Sequence, residues 1–252
     1  MIDSHIHLDW YQGDEQKQIL KSKSIEGFIA VSSDLKSCQK VAQLAAQHAF
    51  VFPAFGWHPE QPLPNEVELQ AIFDLIREHA DQIAAIGEVG LPYYSKKKNP
   101  SLPIDPYISI LERFIISAKD LDLPIVLHAV YEDADIVCDL LEKHHVVRAH
   151  FHWFKGSAAT MNRIIDNEYF ISVTPDCLYE DEIQQIIRCF PLELIMIETD
   201  GPWPFEGPFE GRMTHPEMMR DSLTTIAAIK QLPVTEVEEI IERNTRAFYC
   251  LE

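Results

Sequence analysis

Short β-rich runs alternate along this chain with longer stretches in which apolar positions recur every three or four residues. The short runs lie at 2–7, 27–32, 51–55, 83–87, 125–128, 147–151, 169–173 and 194–198. Their length and composition predict strands. Between them, 37–48, 66–79, 107–121, 133–143, 158–167 and 180–188 read as amphipathic helices. In the clearest, Tyr107, Ile110, Leu111, Phe114, Ala118 and Leu121 fall on one helical face. Two more helices are expected after the last strand. The second should start at Thr235, with Glu238 completing a capping box and Val237, Ile240, Ile241 and Phe248 facing inward.

Eight strand–helix units in 252 residues predict a single closed parallel (β/α)8 barrel, the TIM-barrel architecture, spanning 1–252. An open doubly wound sheet would usually carry a glycine-rich turn after its first strand, and none is present. No internal repeat, low-complexity tract or linker interrupts the alternation. At 46% hydrophobic residues the chain can bury a large core.

Charge narrows the partners. Lys and Arg number 21 against 40 Asp and Glu, a formal charge of −19. Such a surface repels polyanions and membranes at long range. A protein that grips duplex DNA over a wide face is normally basic. The five cysteines are odd in number with no Cys-x-x-Cys, which points to a reducing compartment and away from a cysteine zinc site. No basic-then-apolar leader opens the chain, and no apolar run reaches the ~20 residues of a membrane span. A soluble cytoplasmic protein with no membrane partner is expected.

A barrel of this kind carries its chemistry at the C-terminal ends of its strands. Reading off those ends gives His5, His7, Glu88, His128, His152 and Asp200. His5 and His7 share a face, because strand side chains alternate. Imidazole and carboxylate groups converging in this way suit a divalent metal. The bland alternatives are solvated histidines on an edge strand and, for Glu88, a strand-end salt bridge. His48, His79, His144 and His145 lie near helix ends, where histidine more often serves as a terminal cation. His150 shares a face with His152 but sits deeper in the barrel.

Several segments resemble motifs of the TatD family of metal-dependent hydrolases. They are Asp3-Ser4-His5-Ile6-His7-Leu8-Asp9, Gly56-Trp57-His58-Pro59, Gly87-Glu88-Val89-Gly90-Leu91, Pro124-Ile125-Val126-Leu127-His128, His152-Trp153-Phe154, Glu198-Thr199-Asp200-Gly201-Pro202 and Asn244-Thr245-Arg246-Ala247-Phe248. They cover nearly the whole chain in the family's order. The resemblance implies a TIM barrel with two divalent ions and hydrolytic chemistry, often on DNA. His5, His7 and Asp200 would hold one ion, His128 and His152 the other, with Glu88 between them. His58 would touch substrate or the attacking water. Mixed imidazole and carboxylate ligands suit Zn, Mn, Mg, Ni or Fe. Such ions make water a nucleophile near neutral pH, and Asp200 can accept its proton. No Gly-x-Ser-x-Gly elbow points to a covalent serine mechanism.

The chain departs from the family pattern at Pro92, where an Asp is usual, and at Val130, where an Arg is usual. Trp153 replaces a cysteine, and Thr214-His215-Pro216-Glu217 stands where Asn-Glu-Pro is common. The substrate contacts therefore look rebuilt. All four tryptophans, Trp10, Trp57, Trp153 and Trp203, follow strand ends, joined by Tyr11, Tyr93, Tyr94 and Phe154. They either pack the barrel mouth or wall a pocket that stacks a base, worth ~1–3 kcal/mol. Of these, Trp57, Tyr93, Tyr94, Trp153 and Trp203, with His58, are the candidate substrate contacts. Lys96-Lys97-Lys98 is expected in the loop after strand four, as a solvated run or a phosphate tether; Lys155 and Arg212 are further candidates. The leading expectation is a TatD-like deoxyribonuclease acting on short or single-stranded DNA. The alternatives are hydrolysis of a small-molecule ester, lactone or amide at the same two-metal site, and a metal-binding protein without turnover.

Overall fold

The computed structural model describes residues 1–251. Among these, eight strands pair in parallel and in chain order. They are β1 (Ile2–Ile6), β2 (Gly27–Val31), β3 (Val51–Phe55), β4 (Ala85–Gly90), β5 (Ile125–His128), β6 (Ala149–Phe151), β7 (Phe170–Val173) and β8 (Ile195–Ile197). The helices are α1 (Gly13–Leu20), α2 (Leu35–Gln47), α3 (Glu66–Glu78), α4 (Tyr93–Lys98), α5 (Asp105–Asp120), α6 (Glu132–Lys143), α7 (Ala158–Asp166), α8 (Asp181–Cys189), α9 (Met219–Lys230) and α10 (Val234–Phe248). None is long and apolar enough to cross a membrane.

Strand alternation divides the core in two. Ile29, Val31, Ala54, Ala85, Val126 and Met196 fill the inside of the barrel, where Phe248 and Tyr249 at the end of α10 join them. The opposite strand faces, with Phe28, Phe55, Ile86, Leu127 and Phe151, meet the inner sides of the helices in a larger shell. Phe248 and Tyr249 thus close one end of the barrel, while the polar cluster occupies the other.

The seam between β8 and β1 is made by few bonds. The amide of Asp200 donates to the His5 carbonyl at 3.0 Å and that of His7 to the Gly201 carbonyl at 2.9 Å. The buried Asp3 carboxyl accepts from the Thr199 amide at 3.0 Å and the Thr199 hydroxyl at 2.5 Å. A side chain here does the work of a ladder bond. Burial outweighs these hydrogen bonds and pushes the Asp3 carboxyl up to about 7.

Some expectations are corrected. β4 runs from Ala85 to Gly90, so Glu88 lies inside the strand. β6 begins at Ala149, because Val147 is 71% exposed and has left the sheet. Helix α1 was not anticipated; it buries only Ile19 and so carries almost no apolar period. Lys96, Lys97 and Lys98 form the last turn of α4 and not a loop. The Glu60 carboxylate induces that turn by accepting from the amides of Tyr94 and Ser95, both at 2.7 Å. Helix α10 starts at Val234 behind Pro233, and no side chain caps it. The expected Thr235–Glu238 capping box is absent because Pro233, with its fixed φ, takes the N-cap position and places Thr235 inside the first turn.

Asp3→Ala leaves the buried Thr199 amide without its acceptor. The expected loss is about 1–3 kcal/mol of stability, the cost of an unpaired buried polar group. Urea unfolding measures it; a change below about 0.5 kcal/mol would show that the seam does not depend on this carboxyl.

Candidate metal centre

Two irregularities in strand register prepare the site. One falls between Asp3 and Ile6 on β1 and the other between Ile86 and Val89 on β4. They flank His5 and Glu88, and such bulges re-aim side chains. Close strand approach adds to this. A Cβ on Gly90 would stand 2.0 Å from the His128 carbonyl oxygen, so only glycine allows β4 and β5 to meet here. Asp200, just past β8, has φ +47°. That left-handed backbone is uncommon for a residue with a side chain and is held by the seam bonds of its amide.

All six strand-end residues converge, and each is buried. His5 Nε2 lies 3.3 Å from Asp200 Oδ1 and 3.3 Å from Glu88 Oε2. His7 Nε2 lies 3.4 Å and 3.1 Å from the same two oxygens. On the other side, Glu88 Oε1 is 2.8 Å from His128 Nδ1 and 2.8 Å from His152 Nε2, which are 3.3 Å apart. The two oxygens of Glu88 therefore face two separate pairs of imidazoles. His58 Nε2 adds a contact of 3.3 Å to Glu88 Oε1. His5, His7 and Asp200 form one group able to hold an ion; His5, Glu88 and His152, and His7, His58 and Glu88, form others.

These atoms fit a metal better than they fit one another. His5 Nε2, Glu88 Oε2 and Asp200 Oδ1 are buried without a hydrogen-bond partner. Native interiors rarely leave such atoms unpaired. Spacings near 3 Å are those of neighbouring donors around an ion with bonds of about 2.0–2.2 Å.

The electrostatics agree. Burial disfavours a charged His7, yet the Asp200 and Glu88 carboxylates outweigh it and raise its pKa to about 9. Burial likewise opposes charge on His128 and His152, and neighbouring carboxylates raise both. Burial would raise Glu88, but His58, His152, His5 and His128 hold it well below the usual carboxylate range. Asp200 is held low by His5 and His7 against the same burial. Burial keeps His58 below the ordinary imidazole value despite Glu88. The pocket thus draws positive charge inward, as protons or as a cation.

Other predicted site residues are placed unevenly. His58 points into the cluster, while its neighbour Trp57 is 3% exposed and packs near Tyr107. Trp57 is therefore a core residue and offers no face at the mouth. Tyr93 is half-buried against Tyr131 and Tyr94, and the exposed Tyr94 ring lies 6.1 Å from that of His128. Trp153 is half-buried, and its indole donates to Asp176 at 2.6 Å. The exposed Trp203 stands edge-on to it at 6.1 Å. Lys155 Nζ lies 3.6 Å from Asp176, and Arg212 covers Phe209. His150 bonds to Ser172 and Tyr249 below the cluster. Two carboxylates were missed: Glu60, 3.5 Å from His128 Nε2, and Glu198, 3.4 Å from His152 Nδ1. Each lies two residues from a named site residue, which was the available signal.

The shifts predict a pH trend for metal-stripped protein. His7, His128 and His152 bind protons more tightly folded than unfolded. Their stabilisation is complete below the ordinary imidazole value of about 6.5 and is lost as pH rises through the folded values, about 9 for His7. The melting temperature in chelator should fall between pH 7 and 9. Added divalent metal should raise it more at pH 9 than at pH 7, because ligation requires the imidazoles to give up their protons. A metal-free melting temperature that rises over this window would contradict the assignment.

Comparison with known proteins agrees with the geometry. A family model described as TatD related DNase matches residues 2–250. An uncharacterized metal-dependent hydrolase of Haemophilus influenzae is 43% identical over 252 residues, covering 100% of both chains. Human deoxyribonuclease TATDN3 is 27% identical, across 97% of this chain and 92% of its own. The crystal structure of YJJV, a TatD homologue from Escherichia coli K12, matches with a TM-score of 0.88 at 23% identity, covering 100% of this chain and 98% of that one. With motifs in order, a matched barrel and a buried His/carboxylate cluster, this chain belongs to the TatD family of metal-dependent hydrolases.

Proposed function

We propose that the enzyme hydrolyses phosphodiester bonds at the ends of short or single-stranded DNA. In this reading His5, His7 and Asp200 hold one divalent ion, His128 and His152 hold a second, and Glu88 serves both. Divalent ions held there would supply Lewis acidity and make a water more acidic at neutral pH. Asp200 would serve as the base that takes a proton from the attacking water and returns it to the leaving oxygen. His58 is set up to donate. Its Nδ1 accepts from the Glu60 amide at 3.1 Å, so the neutral ring carries its proton on Nε2, facing the cluster.

The observation that carries the substrate reading is Trp10. Its ring lies on His7 at 4.0 Å and 13°, and it remains 42% exposed. An open aromatic face directly against the metal-capable cluster suits an unpaired base. Tyr94 and Trp203, both exposed, extend the wall. Exposed Lys97 and Lys98 supply local positive charge on a chain of net −19. The similarity to human TATDN3, which is named a deoxyribonuclease, supports the same class of substrate. A second reading, a small-molecule ester, lactone or amide, is favoured by Val130 and Pro92. Both are buried and neither can grip a phosphate.

Asp200→Asn should cut turnover by at least ~10²–10⁴, the worth of a general base, with the fold intact. Activity within a few-fold of wild type would move the proton to another group. Steady-state rates alongside circular dichroism decide it.

Cleavage should favour short or single strands over long duplex. Past the lysine cluster each further phosphate meets an acidic surface, so few counterions are released. The slope of log affinity against log salt should be about −1 to −2, at ~0.7 per single-strand contact. Tight duplex binding with a steep slope would refute the nucleic-acid part. Absence of phosphodiester cleavage with Mn, Zn or Mg would favour the small-molecule reading.

A further inference from the structure

Histidine has two ring nitrogens, and the partner of one decides what the other can do. In the pair His5 and His7, the inward Nε2 atoms face Glu88 and Asp200. Their outward Nδ1 atoms are buried and have no partner. The pair His128 and His152 differs. His128 turns Nδ1 to Glu88, and its Nε2, which makes no hydrogen bond, has Glu60 Oε1 behind it at 3.5 Å. His152 turns Nε2 to Glu88, and its Nδ1 lies 3.4 Å from Glu198 Oε1. Both imidazoles on this side, and neither on the other, have a carboxylate behind them.

Both carboxylates are themselves held. Glu60 accepts from the amides of Tyr94 and Ser95, each at 2.7 Å. Glu198 Oε2 accepts from the Ser172 hydroxyl. The Ser172 oxygen lies 2.6 Å from His150 Nε2, and His150 Nδ1 lies 2.7 Å from the Tyr249 hydroxyl. Ser172 has one proton and gives it to Glu198, so His150 Nε2–H gives to Ser172. His150 Nδ1 faces the Tyr249 hydroxyl, which also lies 3.2 Å from the Ser4 carbonyl. Glu198 is left as an acceptor for His152 Nδ1–H, which frees His152 Nε2 as a lone-pair donor toward Glu88. Glu60 leaves His128 Nδ1 free in the same way. The chain of contacts begins at the C-terminal end of α10 and ends at the cluster.

We propose that Glu60 and Glu198 are positioning residues that orient His128 and His152 and fix their tautomers, and so govern affinity for the ion on that side alone. This rests on the two-ion reading above. The His5–His7 side has no such backing and depends on Asp200 as its own carboxylate. Removal of an outer carboxylate commonly costs 10–100-fold in metal affinity.

Zinc affinity and stoichiometry, measured by competition with a chromophoric chelator and by elemental analysis, test the proposal in wild type, Glu60→Gln, Glu198→Gln and the double variant. Glutamine keeps the size and an acceptor oxygen but removes the charge. One equivalent should weaken by about 10–100-fold in each single variant, while the other stays within about threefold of wild type. Glu60→Asp and Glu198→Asp keep the charge and should retain more affinity than the glutamines; they replace any glutamine variant that does not fold. Equal weakening of both equivalents, or none in a folded variant, overturns the proposal. A wild-type stoichiometry of one would overturn the two-ion reading instead. The backing would then stand if that ion weakens in the variants and fall if it does not.

Discussion

Two carboxylates, Glu88 and Asp200, are buried at one spot among five imidazoles, and the rest of the structure is arranged around that fact. An isolated buried carboxylate would take up a proton. Here the histidines keep both ionised, and the carboxylates in turn raise His7, His128 and His152. Neither set is comfortable without the other, and several of their atoms still lack partners. A divalent cation resolves both problems at once, because it replaces protons on imidazole and hydrogen bonds on carboxylate with ligand bonds.

Holding such a cluster asks for a rigid frame with local departures from regularity. The barrel interior supplies the rigidity through Val126, Met196 and their neighbours. The departures sit where the side chains of the cluster leave the strands: the register irregularities at His5 and Glu88, the close approach at Gly90 and the left-handed backbone of Asp200. The β8–β1 seam belongs to the same design. The amide of Asp200 and the carbonyl of His5 are bonded to each other there, so barrel closure and placement of these two side chains are one event.

Above the cluster, the chain has spent its aromatic residues unevenly. Trp10 leans on His7, Trp153 is tied to Asp176, and Trp203 stands open beside it. Trp153 and Val130 stand at this mouth, one half-buried and one buried.

The sequence by itself determined the periodic features. Eight β-rich runs and the amphipathic helices were legible because alternation and helical repeat are local properties of the chain. The convergence of the six strand-end residues was legible because a parallel barrel brings strand ends together whatever fills the rest. Helix α1, with only Ile19 buried, was not legible, since it has no apolar stripe to read. Tertiary structure alone decided the remainder. It made the Lys96–Lys98 run helical through Glu60, a residue 34 and 35 positions from the amides it caps. It buried Trp57 and pointed His58 inward. It set Glu60 behind His128 and Glu198 behind His152, at separations of dozens of residues along the chain. Those pairings depend on which way a ring turns at 3–4 Å, and that is fixed by packing, because no periodicity in the sequence encodes it.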